Sequence, residues 1–327
     1  MAEDNPAKVV YLLGAGATHA EIQNIDPDLA AKSGLLVRDL SARVIEKARR
    51  NKQYLEDVAA VSGTSGSLNI ELLISLIETS KVPNWGEKTQ RLKDLVRKDI
   101  QKILSTALTQ RFCLHRALFE LHAQPAAQRK EMLVGLISLN YDGVLDSAYE
   151  EQYGPPRYCF TLDEPLGAND IPLLKLHGSF NWQDQVIRGR KRTIDIIPLG
   201  STKSYIHPPY GCIWNQALET LIGCDTLRVI GCALSQNDFH LIDLLFKAHL
   251  ERGKPFDIEI IASEETGTQI RNNYGFFRGI KTLTQIDNLI ADPKPTNPFK
   301  EWLKYKSLAL LGAKRVGRTT HVKKVVQ

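Results

Sequence analysis

Short apolar runs alternate along this chain with longer stretches of helical periodicity. Six runs are short, rich in Val, Ile and Leu and bounded by turn or polar residues: Val9–Leu13, Leu133–Leu139, Leu173–Leu176, Leu227–Ile230, Ile258–Ala262 and Ile280–Thr284. Such runs are buried strands rather than amphipathic helices. Helical spacing lies between them, as in Gly143–Tyr149 and Asp238–Leu250. Strands that alternate with helices predict an α/β fold: a doubly wound, parallel, Rossmann-like sheet of about six strands, covered on both faces.

The gap between the first and second strands is too long for one crossover. Four helical stretches fill it, Val37–Arg50, Asn69–Glu78, Thr89–Leu108 and His115–His122, with the Ser/Gly-rich segment Val61–Ser67 between the first two. The pattern predicts a helical insert over about residues 35–123. Residues 184–210, with Arg188-Gly-Arg-Lys-Arg192 and several prolines, predict an exposed excursion or hairpin. Asn297–Leu311 reads as a final helix, with Asn297 as cap before Pro298 at the first helical position. One domain over 1–311 and a flexible tail over 312–327 follow.

Composition narrows the class of protein. With 43% hydrophobic and 24% charged residues among 327, the chain is an ordinary globular one. It has no apolar stretch near the length of a membrane span. The acidic start Met1-Ala-Glu-Asp lacks the pattern of a secretory signal, which predicts a soluble, cytoplasmic protein. The five cysteines, Cys113, Cys159, Cys212, Cys224 and Cys232, have neither zinc-knuckle nor disulfide-framework spacing, so no metal site is expected. The net charge of +5 equals that of the tail alone (Lys314, Arg315, Arg318, Lys323, Lys324), and the body is near neutral. A general nucleic-acid surface is thereby disfavoured. The tail itself is either a solvated end or a contact for nucleic acid or an acidic partner.

Four apolar runs end in residues with chemistry. After the first strand, Gly14-Ala-Gly-Ala-Thr18 combines a tight turn with a glycine that admits close backbone approach to a pyrophosphate at a helix N-terminus. The same turn can also occur with no ligand. After the second strand come Asn140 and Asp142, which read either as site residues or as caps for the following helix. After the third comes His177-Gly178, a general base or a structural histidine. After the fourth comes Gly231-Cys-Ala-Leu-Ser235. In open α/β sheets ligands bind outside the carboxyl ends of the strands, so four such ends converge on one crevice.

At these four places the chain resembles the sirtuin superfamily, and within it the zinc-free sirtuin-like NAD hydrolases of bacterial anti-phage defence. Gly14-Ala-Gly-Ala-Thr18 is similar to that family's phosphate loop, Asn140-Tyr-Asp142 to its Asn-x-Asp motif and His177-Gly178 to its catalytic His-Gly. Gly231–Ser235 is similar to the segment that closes over the adenosine ribose and phosphates. The chain departs from protein-deacylating sirtuins in lacking a four-cysteine zinc module, and Ser33-Gly-Leu-Leu stands where they carry a Pro-Asp-Phe-Arg stretch.

The resemblance implies NAD as substrate, no zinc, and cleavage of the nicotinamide–ribose bond to nicotinamide and ADP-ribose. Asn140, His177 and Asp142 are the implied catalytic residues, and Gly14, Ala15, Gly16, Thr18, Gly231 and Ser235 the implied dinucleotide-binding ones. Asn140 would orient water or a ribose hydroxyl, His177 would take its proton, and Asp142 would hold the nicotinamide amide. A non-catalytic module that senses NAD or ADP-ribose is the alternative; a zinc-free deacylase is disfavoured by the two departures. Control by homo-oligomer assembly or by a separate protein, such as a DNA-translocating ATPase, is also implied, with no membrane involved.

Overall fold

Side chains alternate along the strand Ala7–Leu13, here β1. Val10 and Leu12 enter one apolar cluster, while Val9, Tyr11 and Leu13 enter another, so the strand is buried on both faces. That is what a central strand of a parallel sheet requires. The structure is a computed structural model. It describes residues 5–50, 69–81, 83–107, 113–123, 130–162, 166–167, 169–182, 185–187, 190–192, 194, 196, 208–235, 238–255, 257–277, 279–286 and 295–307.

After β1 come helices α1 (Ala15–Ile25), α2 (Pro27–Lys32), α3 (Val37–Arg50), α4 (Ile70–Ser80), α5 (Trp85–Ala107) and α6 (Cys113–Glu120). Strand β2 (Glu131–Ser138), helix α7 (Val144–Tyr153) and strand β3 (Leu173–Lys175) follow. A small antiparallel hairpin, β4 (Gln185–Ile187) with β5 (Arg190–Arg192), lies in the predicted excursion. The chain continues through α8 (Tyr210–Gly223), β6 (Thr226–Ile230), α9 (Phe239–Glu251), β7 (Asp257–Ile261), α10 (Glu264–Asn273), β8 (Ile280–Lys281) and a helix α11 over 298–307. The predicted loop Val61–Ser67 and the basic tail 312–327 lie outside the described residues.

All six predicted strands form one parallel sheet, in the order β3-β2-β1-β6-β7-β8. The chain winds outward from β1 through β2 and β3 on one side, then returns to β6 and winds outward on the other. The switch point of this doubly wound fold therefore falls between β1 and β6. Helices α8, α9 and α10 cover one face; α1, α6, α7 and α11 cover the other. The predicted Asn297 cap is present, its Oδ1 accepting from Lys300 N at 3.0 Å, and its Nδ2 also donates to Ala20 O at 2.8 Å.

The helices between β1 and β2 divide in two. α3, α4 and α5 build a core of their own with Leu40, Val44, Leu73, Ile77, Leu92 and Val96, whereas α6 packs on the sheet through Leu114, Leu118 and Phe119. A buried Asp99 on α5 accepts from Arg43 at 2.9 Å and pairs with Lys47, fixing α3 against α5. On the sheet side, the carboxylate of Glu21 in α1 accepts from the amides of Cys113, Leu114 and His115 at 2.6–3.0 Å and from His115 Nδ1 at 2.8 Å. Burial alone would raise the Glu21 pKa. The His115 contact and the α6 amides outweigh it, and the carboxyl is held below its usual range. No helix among the described residues is long and apolar enough to cross a membrane.

Candidate functional site

The strand ends are held in register past the last strand residues. Gly14 N donates to Ile230 O (3.0 Å), Leu139 N to Leu13 O (2.9 Å), Leu176 N to Ser138 O (3.0 Å) and Gly231 N to Ile261 O (3.2 Å). The segments after β1, β2, β3 and β6 thus emerge side by side on one edge of the sheet. They surround a cavity of about 350 Å³ at the switch point, within the size range of small-molecule sites. Gly14, Ala15, Gly16, Asn140, Asp142, His177, Gly231 and Ser235 all line it. Thr18, the remaining sequence candidate, is 1% exposed and stands behind the wall, bonded to two of the lining residues.

At the floor of the cavity the two glycine-bearing turns touch through their backbones. Gly16 N donates to Gly231 O at 2.9 Å, and Ala17 N to Gly14 O at 2.9 Å. Gly231 has φ +59°, and a Cβ there would lie 2.1 Å from Ala17 N. The amides of Gly14, Gly16 and Ala17 are therefore spent on protein carbonyls. Attraction for an anion at this turn rests on the dipole of α1, 11 residues long with no acidic residue in its first turn.

Asn140 joins the loops. Its Nδ2 donates to Gly14 O and to Thr18 Oγ1, both at 3.0 Å, and Thr18 Oγ1 donates to Asp142 Oδ2 at 3.1 Å. Asn140 Oδ1 is buried and has no hydrogen-bond partner among the described residues. A buried acceptor without a partner costs on the order of 1–3 kcal/mol, a penalty that a bound donor relieves. Asp142 serves partly as the cap foreseen for it, with Oδ1 accepting from Val144 N at 3.0 Å.

His177 is 1% exposed, and its Nε2 lies 3.2 Å from Asp238 Oδ2, itself 3% exposed. Asp238 is the N-cap residue of α9, yet its side chain makes no capping bond. The carboxylate faces the histidine rather than the helix amides. Gly178, at φ +81°, turns the chain immediately after His177, and Phe180 N then donates to Tyr141 O at 2.9 Å. From the other side, Trp214 Nε1 of α8 donates to Leu176 O at 3.0 Å. The histidine is thereby pinned between the β2 loop, α8 and α9.

Further residues complete the wall or its support. Tyr141 donates its hydroxyl to Glu71 Oε1 at 2.9 Å, and both line the cavity, so α4 of the insert contributes to the site directly. Asn69, read from the sequence as the first residue of a helical stretch, instead caps α4, its Oδ1 accepting from Glu71 N at 2.8 Å. Lys175 is fully buried, donates to Asp142 O and pairs with Asp146 Oδ2 at 2.7 Å. Tyr158 and Asn181 donate to the other oxygen of Asp146, and burial next to that carboxylate pushes the Tyr158 hydroxyl pKa well up. A lysine inside an apolar strand run was the available signal for this pair, since a buried ammonium needs a carboxylate. Glu71 and Asp238 carried no such signal, because their neighbours in space are remote in sequence.

Glu71, Asp142 and Asp238 make the wall acidic; among the described lining residues none is Lys or Arg. Cys232 also lines the cavity, but burial pushes its thiol pKa up to about 12, so it stays protonated and unreactive. Among the described residues no cluster of His, Cys, Asp and Glu is arranged to hold a metal ion.

Fold and site together define a doubly wound α/β protein with a ligand cavity at its topological switch point. No family model matches the sequence, and no curated protein matches it. Among solved structures, the chain is similar to a triple mutant of a Sir2 homologue in complex with 2′-O-acetyl ADP ribose, at 16% identity and a TM-score of 0.45, with 94% of each chain covered. It is similar also to a point mutant of a Sir2 homologue in complex with ADP ribose (15% identity, TM-score 0.37, 95% of each chain). A Sir2 homologue in complex with NAD matches at 15% identity and a TM-score of 0.36, covering 94% of this chain and 92% of that one.

Proposed function

We propose that this chain binds NAD in the switch-point cavity and hydrolyses its nicotinamide–ribose bond. NAD and water would give nicotinamide, ADP-ribose and one proton. The observation that carries the reading is the pairing of Asn140, with its orphaned buried Oδ1, and His177, backed by Asp238, on one cavity wall. The acidic wall suits the cationic nicotinamide ring, and the N-terminus of α1 suits the pyrophosphate.

Cleavage of an N-glycosidic bond passes through an oxocarbenium-like state at the anomeric carbon, from which nicotinamide leaves neutral. Asn140 Oδ1 accepts from the attacking water or a ribose hydroxyl and aligns it. His177 takes the proton, and Asp238 fixes the ring orientation and stabilises the imidazolium that forms. Asp142, held by Thr18 and Val144 N, presents its remaining lone pairs to the nicotinamide amide. Ala15, Gly231 and Ser235 line the side on which the phosphates and the adenosine ribose would lie. The resemblance of the motifs to sirtuin-like defence hydrolases supports a triggered effector role against phage, switched on by assembly or by a separate activating protein.

The test measures NAD binding by calorimetry and nicotinamide release by product analysis, with the protein alone and with its genomic neighbour. His177→Ala and Asn140→Ala are expected to lose turnover by on the order of 10²–10⁴-fold while keeping the fold and most of the affinity. Asp238→Asn is expected to lose on the order of 10²-fold, the cost of misplacing a reacting group by about 1 Å. Asp142→Ala weakens both binding and turnover. Unimpaired release by His177→Ala, beside an active wild type, would overturn the mechanism. Binding without any turnover by the wild type would favour the non-catalytic module.

A further inference from the structure

Helix α9 is apolar on two opposite faces. Leu241, Leu244, Leu245 and Ala248 are buried against the sheet. On the far side Phe239, Phe246 and Leu250, spaced seven and four residues apart, are 69%, 42% and 62% exposed. Phe276, 46% exposed, extends this side, its ring centroid 5.6 Å from that of Phe246. A surface helix needs only one apolar face, and an exposed patch built of three phenylalanines and a leucine marks an interaction surface.

The charges on the same side say what fits there. Asp243 and Lys247 stand one turn apart, paired at 2.7 Å and open to solvent on the flank of the apolar stripe. A two-fold axis perpendicular to α9 near residues 244–245 would set Phe239 against Leu250 of the partner subunit. The same axis would set Asp243 against Lys247 of the partner subunit, with Phe246 near the axis. Both pairings have nearly the same midpoint, which is the condition for a self-complementary face. We infer that the outer face of α9 is a two-fold interface between two copies of this chain. The inference does not depend on the NAD reading. The interface and the cavity would nevertheless share a helix, because Asp238 and Leu241, at the start of α9, line the cavity.

The experiment is a concentration series of the full-length protein by sedimentation velocity. The wild type is expected to dimerise, and Phe246→Glu to shift the equilibrium to monomer. Asp243→Lys and Lys247→Asp should each weaken association by about tenfold or more, since each sets like charges against each other twice. Mixed in equal amounts, the two single variants should associate with each other more tightly than either does with itself, because unlike charges again meet at both contacts. This recovery also shows that both variants are folded. A wild type that stays monomeric throughout would overturn the inference. So would a dimer indifferent to Phe246→Glu, or one whose single variants fail to recover on mixing. A patch covered by the chain's own tail would appear as a monomer that dimerises only after deletion of residues 308–327, and that result too would overturn it.

Discussion

Gly231→Ala tests whether the contact between the two glycine turns organises the site. At φ +59° any residue but glycine costs about 1 kcal/mol or somewhat more. The larger effect is steric: the new Cβ would lie 2.1 Å from Ala17 N, 2.3 Å from Gly16 C and 2.8 Å from Gly16 Cα. All three are backbone atoms, so no rotamer change relieves the overlap. The β6–α9 loop and the β1–α1 turn must instead part by about 1 Å, and overpacking of this kind costs roughly 1–3 kcal/mol. A total loss of about 2–4 kcal/mol follows. Gly253 is the internal control: it sits at φ +66°, but a Cβ there meets nothing within 4 Å, so Gly253→Ala should lose only about 1 kcal/mol. Urea unfolding of both variants beside the wild type isolates the steric part as their difference. Calorimetry with NAD should show at least a tenfold affinity loss for Gly231→Ala and none for Gly253→Ala, since only the former moves the cavity floor. Equal stability of the two variants would refute the steric reasoning. A stability difference with unchanged NAD affinity would refute only the placement of the ligand.

Two further outcomes follow from buried ionisable groups. Burial alone would raise the Glu131 carboxyl, but its hydrogen bonds and charge contact with Arg228 prevail and bring its pKa down to about 2 from 4.5. Its stabilisation is therefore complete above about pH 4.5 and is lost as pH falls toward 2. With 33% of the side chain open to solvent, it amounts to roughly 2 kcal/mol. The stability gap between wild type and Glu131→Gln should close over that acid window; a gap that stayed constant would exclude the linkage. For the thiols, Cys113 is exposed while the other four are buried, and burial pushes Cys232 to about 12 and Cys224 to about 11. A disulfide reagent at pH 8 should titrate one thiol promptly and the rest only on unfolding. A second fast thiol would contradict that burial.

Much of the sheet was legible because its signals are local. A strand buried on both faces is apolar at nearly every position, with ion-paired exceptions such as Lys175 and Arg228, so β1, β2, β3, β6 and β7 stand out as runs of Val, Ile and Leu. Helix α3 was legible to the residue, because Leu40, Val44, Ile45 and Ala48 repeat on one face. The edge strand β8 is shorter than its run, Ile280–Lys281 rather than Ile280–Thr284, because Thr282 instead opens the 3₁₀ turn Leu283–Gln285 in a capping box with Gln285. Helices α8 and α10 gave no comparable pattern and were not foreseen.

The sequence by itself determined the parallel doubly wound sheet, and with it the convergence of Gly14, Asn140, His177 and Gly231 on one edge. Strand polarity leaves their side no choice once every strand is parallel. Only the tertiary structure decided how these residues are used. Asp142 and Thr18 divide their bonds between cap and clamp, Asn140 is left with an unmet acceptor, and Asp238 turns from its helix to His177. The insert lends Glu71 to the wall across a gap of 70 residues, by way of Tyr141. Such choices are made by contacts between loops far apart in the chain. Hydrophobic periodicity reports which face of an element is buried, and it holds no information about which polar atoms will meet there.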